Sequence, residues 1–224
     1  MKKILGIALT LLFSATLQAN AAVVLLNGSF EAPQLPGQIG VSPPTVINNW
    51  TVTGNSVDLL RNYQGYAASE GQQYIDLAGS PGPGGVYQGI SLVANQEYTV
   101  TFDYSRNPDL FKNTVVTGLV KILDSVGGAL GIQATVTSNP ATQPIIGPAP
   151  PGLNWLEYVF KFVAPTTGNF RIQFESGTPT NENRGSLFID NVAIAETPEP
   201  TTIVVWGGLA AIGGIVAYRR RIAA

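Results

Sequence analysis

The stretch Tyr98-Thr99-Val100-Thr101-Phe102-Asp103-Tyr104 alternates apolar and polar residues without a fault. With a side-chain period of two, Tyr98, Val100, Phe102 and Tyr104 share one face of a β-strand and the two threonines and Asp103 share the other. A strand of that kind buries one face only, so it belongs to an antiparallel sheet with its core on one side. Leu156 to Phe162 repeats the pattern, and Phe170 to Phe174 is expected to pair with it across the turn Pro165-Thr166-Thr167-Gly168. Further strands are expected over Val23–Leu26, Trp50–Thr53, Val57–Leu60, Tyr74–Leu77, Val86–Ile90, Val115–Leu123, Ile132–Thr137 and Leu187–Ala195. The last of these is apolar on both faces, which makes it a central strand, with Asp190 on the face of Phe188, Val192 and Ile194. No stretch between them carries a sustained 3.6-residue repeat. About ten or eleven strands separated by turn signals predict an all-β fold, a two-sheet sandwich of jelly-roll type.

Composition narrows the chemistry. Residues 22–196 hold seven Lys and Arg against thirteen Asp and Glu, a formal charge of −6, so no basic patch exists to release counterions from a nucleic acid. The chain has neither cysteine nor histidine. Disulfides, serine or cysteine triads and zinc sites are thereby excluded, and a bound metal would be a hard, oxygen-loving one such as calcium. Any catalysis would run on carboxylates, Lys or Tyr. A glycan hydrolase needs two carboxylates about 5 to 10 Å apart in a cleft, and no motif points to such a pair, so no catalytic residue is assigned.

Both ends read as targeting segments. Lys2 and Lys3 precede an apolar core from Ile4 to Phe13, and Ala19-Asn20-Ala21 offers small residues where a signal peptidase cuts, so residues 1–21 are expected to be a signal peptide. Residues 22–196 then form one domain. From residue 197 to 224 the chain carries Pro198-Glu199-Pro200, an uncharged run from Thr201 to Tyr218, and Arg219-Arg220-Arg221. As a helix those 18 residues would reach about 27 Å, enough for the hydrocarbon core, and the arginines would hold that end in the cytoplasm. Motif, glycine-interrupted span and Arg cluster in this order resemble the PEP-CTERM sorting signal of Gram-negative bacteria that make extracellular polysaccharide. The resemblance implies an exosortase as partner, a transient stay in the inner membrane, and release or transfer of the body to the envelope or matrix. An ordinary permanent anchor is the alternative.

The domain opens with Leu26-Asn27-Gly28-Ser29-Phe30-Glu31 and closes with Leu187-Phe188-Ile189-Asp190-Asn191-Val192-Ala193-Ile194. Between them stand Trp50, Val57-Asp58, Tyr74-Ile75-Asp76-Leu77, Val86-Tyr87-Gln88 and Tyr104-Ser105-Arg106-Asn107-Pro108. In that order these segments resemble the choice-of-anchor C proteins and their relatives among plant cell-wall proteins, which share a galactose-binding-like jelly roll. Arg106 stands where that family has glycine.

Three features invite function. Asp190, read as buried, needs a partner: either it and Asn191 satisfy backbone amides where the first and last strands meet, or Asp190 and Glu31 hold a structural calcium ion, as the resemblance to carbohydrate-binding jelly rolls implies. Trp50, Tyr63, Tyr66 and Tyr87 are candidates for an aromatic sugar platform. Trp50 starts a strand and is read as core, while Tyr63 and Tyr66, in the loop 62–71, are the surface candidates, with Arg61, Asn62 and Gln64 supplying polar contacts. The proline-rich loop 138–154 lacks aromatic and charged groups and is read as mobile. The expected product is an exported polysaccharide-binding module; a glycan hydrolase or lyase and a purely structural matrix protein are the alternatives.

Overall fold

Eleven strands emerge from the alternation in the computed structural model, which describes residues 22–36, 39–41, 46–108, 115–145, 152–177 and 186–197. They are β1 (Ile39–Val41), β2 (Thr51–Gly54), β3 (Asp58–Arg61), β4 (Gln73–Asp76), β5 (Gly84–Leu92) and β6 (Glu97–Arg106). The second half of the domain adds β7 (Val116–Asp124), β8 (Ala129–Ser138), β9 (Leu156–Val163), β10 (Gly168–Ser176) and β11 (Leu187–Glu196). Every pairing is antiparallel: one sheet runs β1-β3-β4-β11-β6-β9, the other β2-β5-β10-β7-β8. The two sheets pack face to face as a jelly-roll sandwich. The expected signal peptide, the processing motif Pro198, Glu199 and Pro200, the span and Arg219 to Arg221 lie outside the described residues. Within them no helix is long and apolar enough to cross a membrane.

The inward faces are those the period of two assigns. Val100, Phe102, Phe160 and Ile189 from the six-stranded sheet meet Val86, Ile172 and Phe174 from the five-stranded one, all buried. Phe102 and Phe174 touch edge to face, 5.0 Å between centroids. Burying a side chain of this size contributes about 1.5–3 kcal/mol, so the interface between the sheets is the main source of stability in a domain without disulfides.

The structure corrects the sequence reading at several places. Strands β9 and β10 do not form a hairpin. β9 pairs with β6, and β10 lies between β5 and β7 in the other sheet, so the turn between them crosses the sandwich. Both strands still aim their aromatic face into the same core, which is why alternation alone could not separate the two arrangements. β11 is central, as expected, but Asp190 and Val192 do not share a face. The register shifts between Asp190 and Ala193, with Asn191 at φ 51°, and this bulge reverses the parity of the strand. Before it Phe188 faces outward; after it Val192 and Ile194 face the core.

Val23–Leu26 is no strand. It lies along β5 through the buried amide of Gln88, which accepts from Leu26 N (2.7 Å) and donates to Leu26 O (2.8 Å). The described parts of the loop 138–154, read as mobile, are pinned. Gln143 is buried and its amide donates to Tyr104 O and Asn154 O, Arg106 Nε donates to Gln143 O, and Ser105 donates to Leu153 O. Arg106, where the resembled family has glycine, is thus a buried strut under this loop. Strand β1, flanked by prolines, had no alternation to announce it.

Candidate functional site

The outer face of the six-stranded sheet is roofed over. A second apolar cluster of Leu60, Tyr66, Tyr74, Leu153 and Phe188 fills it, with Tyr63 and Trp155 packed at its rim. Tyr66, expected on the surface, is only 9% exposed, and Tyr63 is half-buried beside it. These rings hold the loop 62–71 down and present no open platform. Arg61 donates to Leu35 O and to the Gln72 side chain, and Asn62 takes a left-handed backbone (φ 43°) that starts the turn Tyr63–Gly65. Trp50 is core as read, 5.4 Å from Phe30 and 6.1 Å from Phe174, with Nε1 donating to Asn27 O.

Glu31 and Asp190 converge on one target, the backbone of residues 69–73. Glu31 Oε1 accepts from Gln72 N (2.6 Å) and Gln73 N (2.7 Å). Asp190 Oδ2 accepts from Ser69 N and Glu70 N (both 2.9 Å), and its Oδ1 from Asn191 N (2.7 Å). Gly71, at φ +66°, turns between them, and a Cβ there would lie 2.4 Å from Glu31 Oε1, so the turn requires glycine. Burial pushes the Asp190 carboxyl up to about 8, against the pull of these amides. Amide hydrogens aimed at both carboxylates make a setting for anions, and no group of three or more Asp and Glu gathers as metal ligands among the described residues. A calcium ion bridging Glu31 and Asp190 does not fit this arrangement, since it would have to displace the amides that the pair now holds.

Among the described residues the outer face of the five-stranded sheet is open. A groove of about 380 Å³ crosses it, lined by Thr53, Tyr87, Lys121, Gln133, Arg171 and Gln173 and walled by Val126 and Gly127 of the β7–β8 turn and by residues 129–131 at the start of β8. Register assembles it. Thr51, Tyr87, Gln173, Lys121 and Gln133 are successive cross-strand partners over β2, β5, β10, β7 and β8, so their side chains form one row on one face. Tyr87 stands between Gly85 and Gly89 on the same face of β5, which leaves the flanks of its ring bare. Arg171 lies over that ring, its guanidinium carbon 4.4 Å from the centroid. Lys121 forms a salt bridge with Glu175, whose other oxygen accepts from Gln173 Nε2 (2.7 Å). The wall is fixed by Asp124, whose Oδ1 accepts from Gly128 N (2.7 Å) and Val126 N (2.9 Å); these amides hold its carboxyl below the ordinary value. An apolar ring face, flanking amides and charges at fixed spacing suit a flat polar ligand with an apolar side. Of this set only Tyr87 stood out in the sequence; the rest meet it only through cross-strand pairing.

Fold and groove together define a jelly-roll sandwich with a polar and aromatic cleft across one sheet. The chain belongs to the DUF642 family, described as a protein of unknown function, which it matches over residues 23–195. Its fold is similar to that of the arabinose-bound MgGH51 α-L-arabinofuranosidase, with a TM-score of 0.50 and 14% identity over 78% of this chain and 26% of that one. Lower similarity extends to a CBM4 structure, at 0.47 and 18% over 76% and 98% of the two chains. TmCBM61 in complex with β-1,4-galactotriose matches at 0.46 and 16% over 77% and 97%. No curated protein matches the chain.

Proposed function

We propose that the domain is a non-catalytic polysaccharide-binding module whose site is the groove on the five-stranded sheet. The single observation that carries this is Tyr87, an aromatic ring on an outer sheet face between two glycines, in a row with Gln173, Lys121 and Gln133. A pyranose stacks its apolar face on such a ring while side-chain amides and ammonium groups meet its hydroxyls. Among the described residues the groove lining includes no Asp or Glu, and the carboxylates nearest it are engaged, Glu175 by Lys121 and Gln173 and Asp124 by the amides of Val126 and Gly128.

The experiment is a glycan-array screen of the full-length protein in detergent, followed by titration of the best polymer with wild type and Tyr87→Ala. The variant should lose about tenfold or more in affinity, 1.4 kcal/mol, with its melting temperature unchanged because the ring is outside the core. Wild type that binds no glycan would leave a structural matrix protein as the better reading.

The destination is proposed from sequence. The chain is exported, anchored briefly in the inner membrane of a Gram-negative bacterium, and cut by an exosortase near Pro198-Glu199-Pro200, which delivers the domain to the envelope or matrix. Mass spectrometry of the protein from its host should find a C-terminus near Pro200; mature chains that retain Arg219 to Arg221 would point to a permanent anchor.

A further inference from the structure

Arg171 occupies the surface that a sugar would need. Its cross-strand partners are Gly89 on β5 and Leu123 on β7. With no side chain opposite on β5, the guanidinium leans diagonally onto the Tyr87 ring and lies 4.4 Å above it. The two cations of the groove are therefore in different states. Lys121 is in a salt bridge with Glu175, whereas Arg171 has no ion pair among the described residues. Asp124 feels its charge, yet commits an oxygen to the amides of Val126 and Gly128.

A neutral sugar stacking on Tyr87 must push the guanidinium off the ring and gives it no anion in return. A sugar bearing a carboxylate offers a better partner than the ring does, a two-pronged, charge-assisted hydrogen bond, and leaves the ring free for stacking. Resting on the reading of this groove as the glycan site, we infer that the ligand is an acidic polysaccharide containing uronate residues, and that Arg171 is the residue that selects it. The rest of the surface opposes diffuse attraction. Seven Lys and Arg against thirteen Asp and Glu give residues 22–196 a formal charge of −6, which repels a polyanion everywhere but at a local cationic site.

The test titrates the full-length protein in detergent with alginate and polygalacturonate as uronate polymers and with β-1,4-galactan as the neutral one. Wild type should bind the uronate polymers at least about tenfold more tightly than galactan, with the margin shrinking as salt rises. Arg171→Gln should erase that margin by weakening the uronate polymers while galactan holds or improves, at an unchanged melting temperature. Arg171→Lys, which keeps the charge and loses the fork, should fall between. Galactan binding as tight as uronate binding, or a margin that survives Arg171→Gln, overturns the inference. In that case loss of binding in Tyr87→Ala still marks the groove as the site. If no polymer binds wild type, or if Tyr87→Ala binds like wild type, the reading of the groove falls and the inference with it.

Discussion

Asp76 and Asp190 are two buried carboxyls with no histidine or lysine to neutralise them. Asp76 is 4% exposed; burial pushes its carboxyl up to about 7, although Ser186, Ala78 N and Asn107 all donate to it. Asp190 is pushed up to about 8 by the same cause. An unfolded chain releases these protons near pH 4 while the folded chain keeps them to pH 7 or 8. Through that window the folded state binds more protons at these two sites, so their contribution to stability is full below pH 4 and is lost as pH rises. For Asp76 the effect is at most about 4 kcal/mol. Melting curves of wild type and Asp76→Asn should lie close together near pH 4, where both side chains are neutral, and separate toward alkaline pH as wild type alone loses stability; parallel curves would mean that Asp76 is ionised throughout. Glu31 and Asp190 were legible in the sequence as partners, one at each end of the domain. What the sequence could not tell was that their common target is a run of backbone amides, which have no letter of their own. A chelator should accordingly leave the melting temperature where it is, and a clear drop would reinstate the ion.

Among the elements, ten of the eleven strands were legible, because alternation is a property of neighbours along the chain. Partnership is not, and there the reading failed. The aromatic faces of β9 and β10 are satisfied equally well by a hairpin and by a crossing between sheets, and only the competition of β6, β5 and β7 for their edges decides. The opening stretch failed for another reason. Residues 22–36 are joined to the sheets by glutamine side chains in place of a ladder. Gln73, fully buried, donates to Phe30 O and Pro33 O and accepts from Leu35 N. Gln73→Ala would strand these groups, each costing about 1–3 kcal/mol when left without a partner. Urea denaturation should therefore show a loss of at least about 2 kcal/mol with an unchanged m-value. A loss under 0.5 kcal/mol, within the usual range for surface substitutions, would mean that water substitutes for the amide. Gly28 adds one main-chain link: Val192 N donates to Gly28 O (2.9 Å), and a Cβ at Gly28 would sit 1.9 Å from Val192 O.

At the scale of the whole molecule, the two sheets treat their outer faces in opposite ways. Among the described residues the six-stranded sheet is covered by the loop 62–71 and by Ile145, Leu153 and Trp155 around Tyr66, Tyr74 and Phe188, whereas the five-stranded sheet leaves its polar face bare. Counting aromatic residues in loops led the sequence reading to the covered face. The open one is built from single residues on five strands, and its composition becomes visible only when the registers are known.

The bulged strand β11 also fixes how the domain bears load. It is the central strand of its sheet, paired with β4 on one side and along most of its length with β6 on the other, and the chain leaves it at Thr197, whose N–H donates to Glu97 O. A pull on the chain beyond Thr197 against a hold at the opposite end of the sandwich, where β10 stops at Ser176, would run along β11, stressing its ladder in shear so that many hydrogen bonds share the force at once. Pulled between an attachment at Ser176, the far end of β10, and the C-terminus, the domain should yield in one abrupt event at high force; gradual yielding at low force would mean that β11 peels away bond by bond.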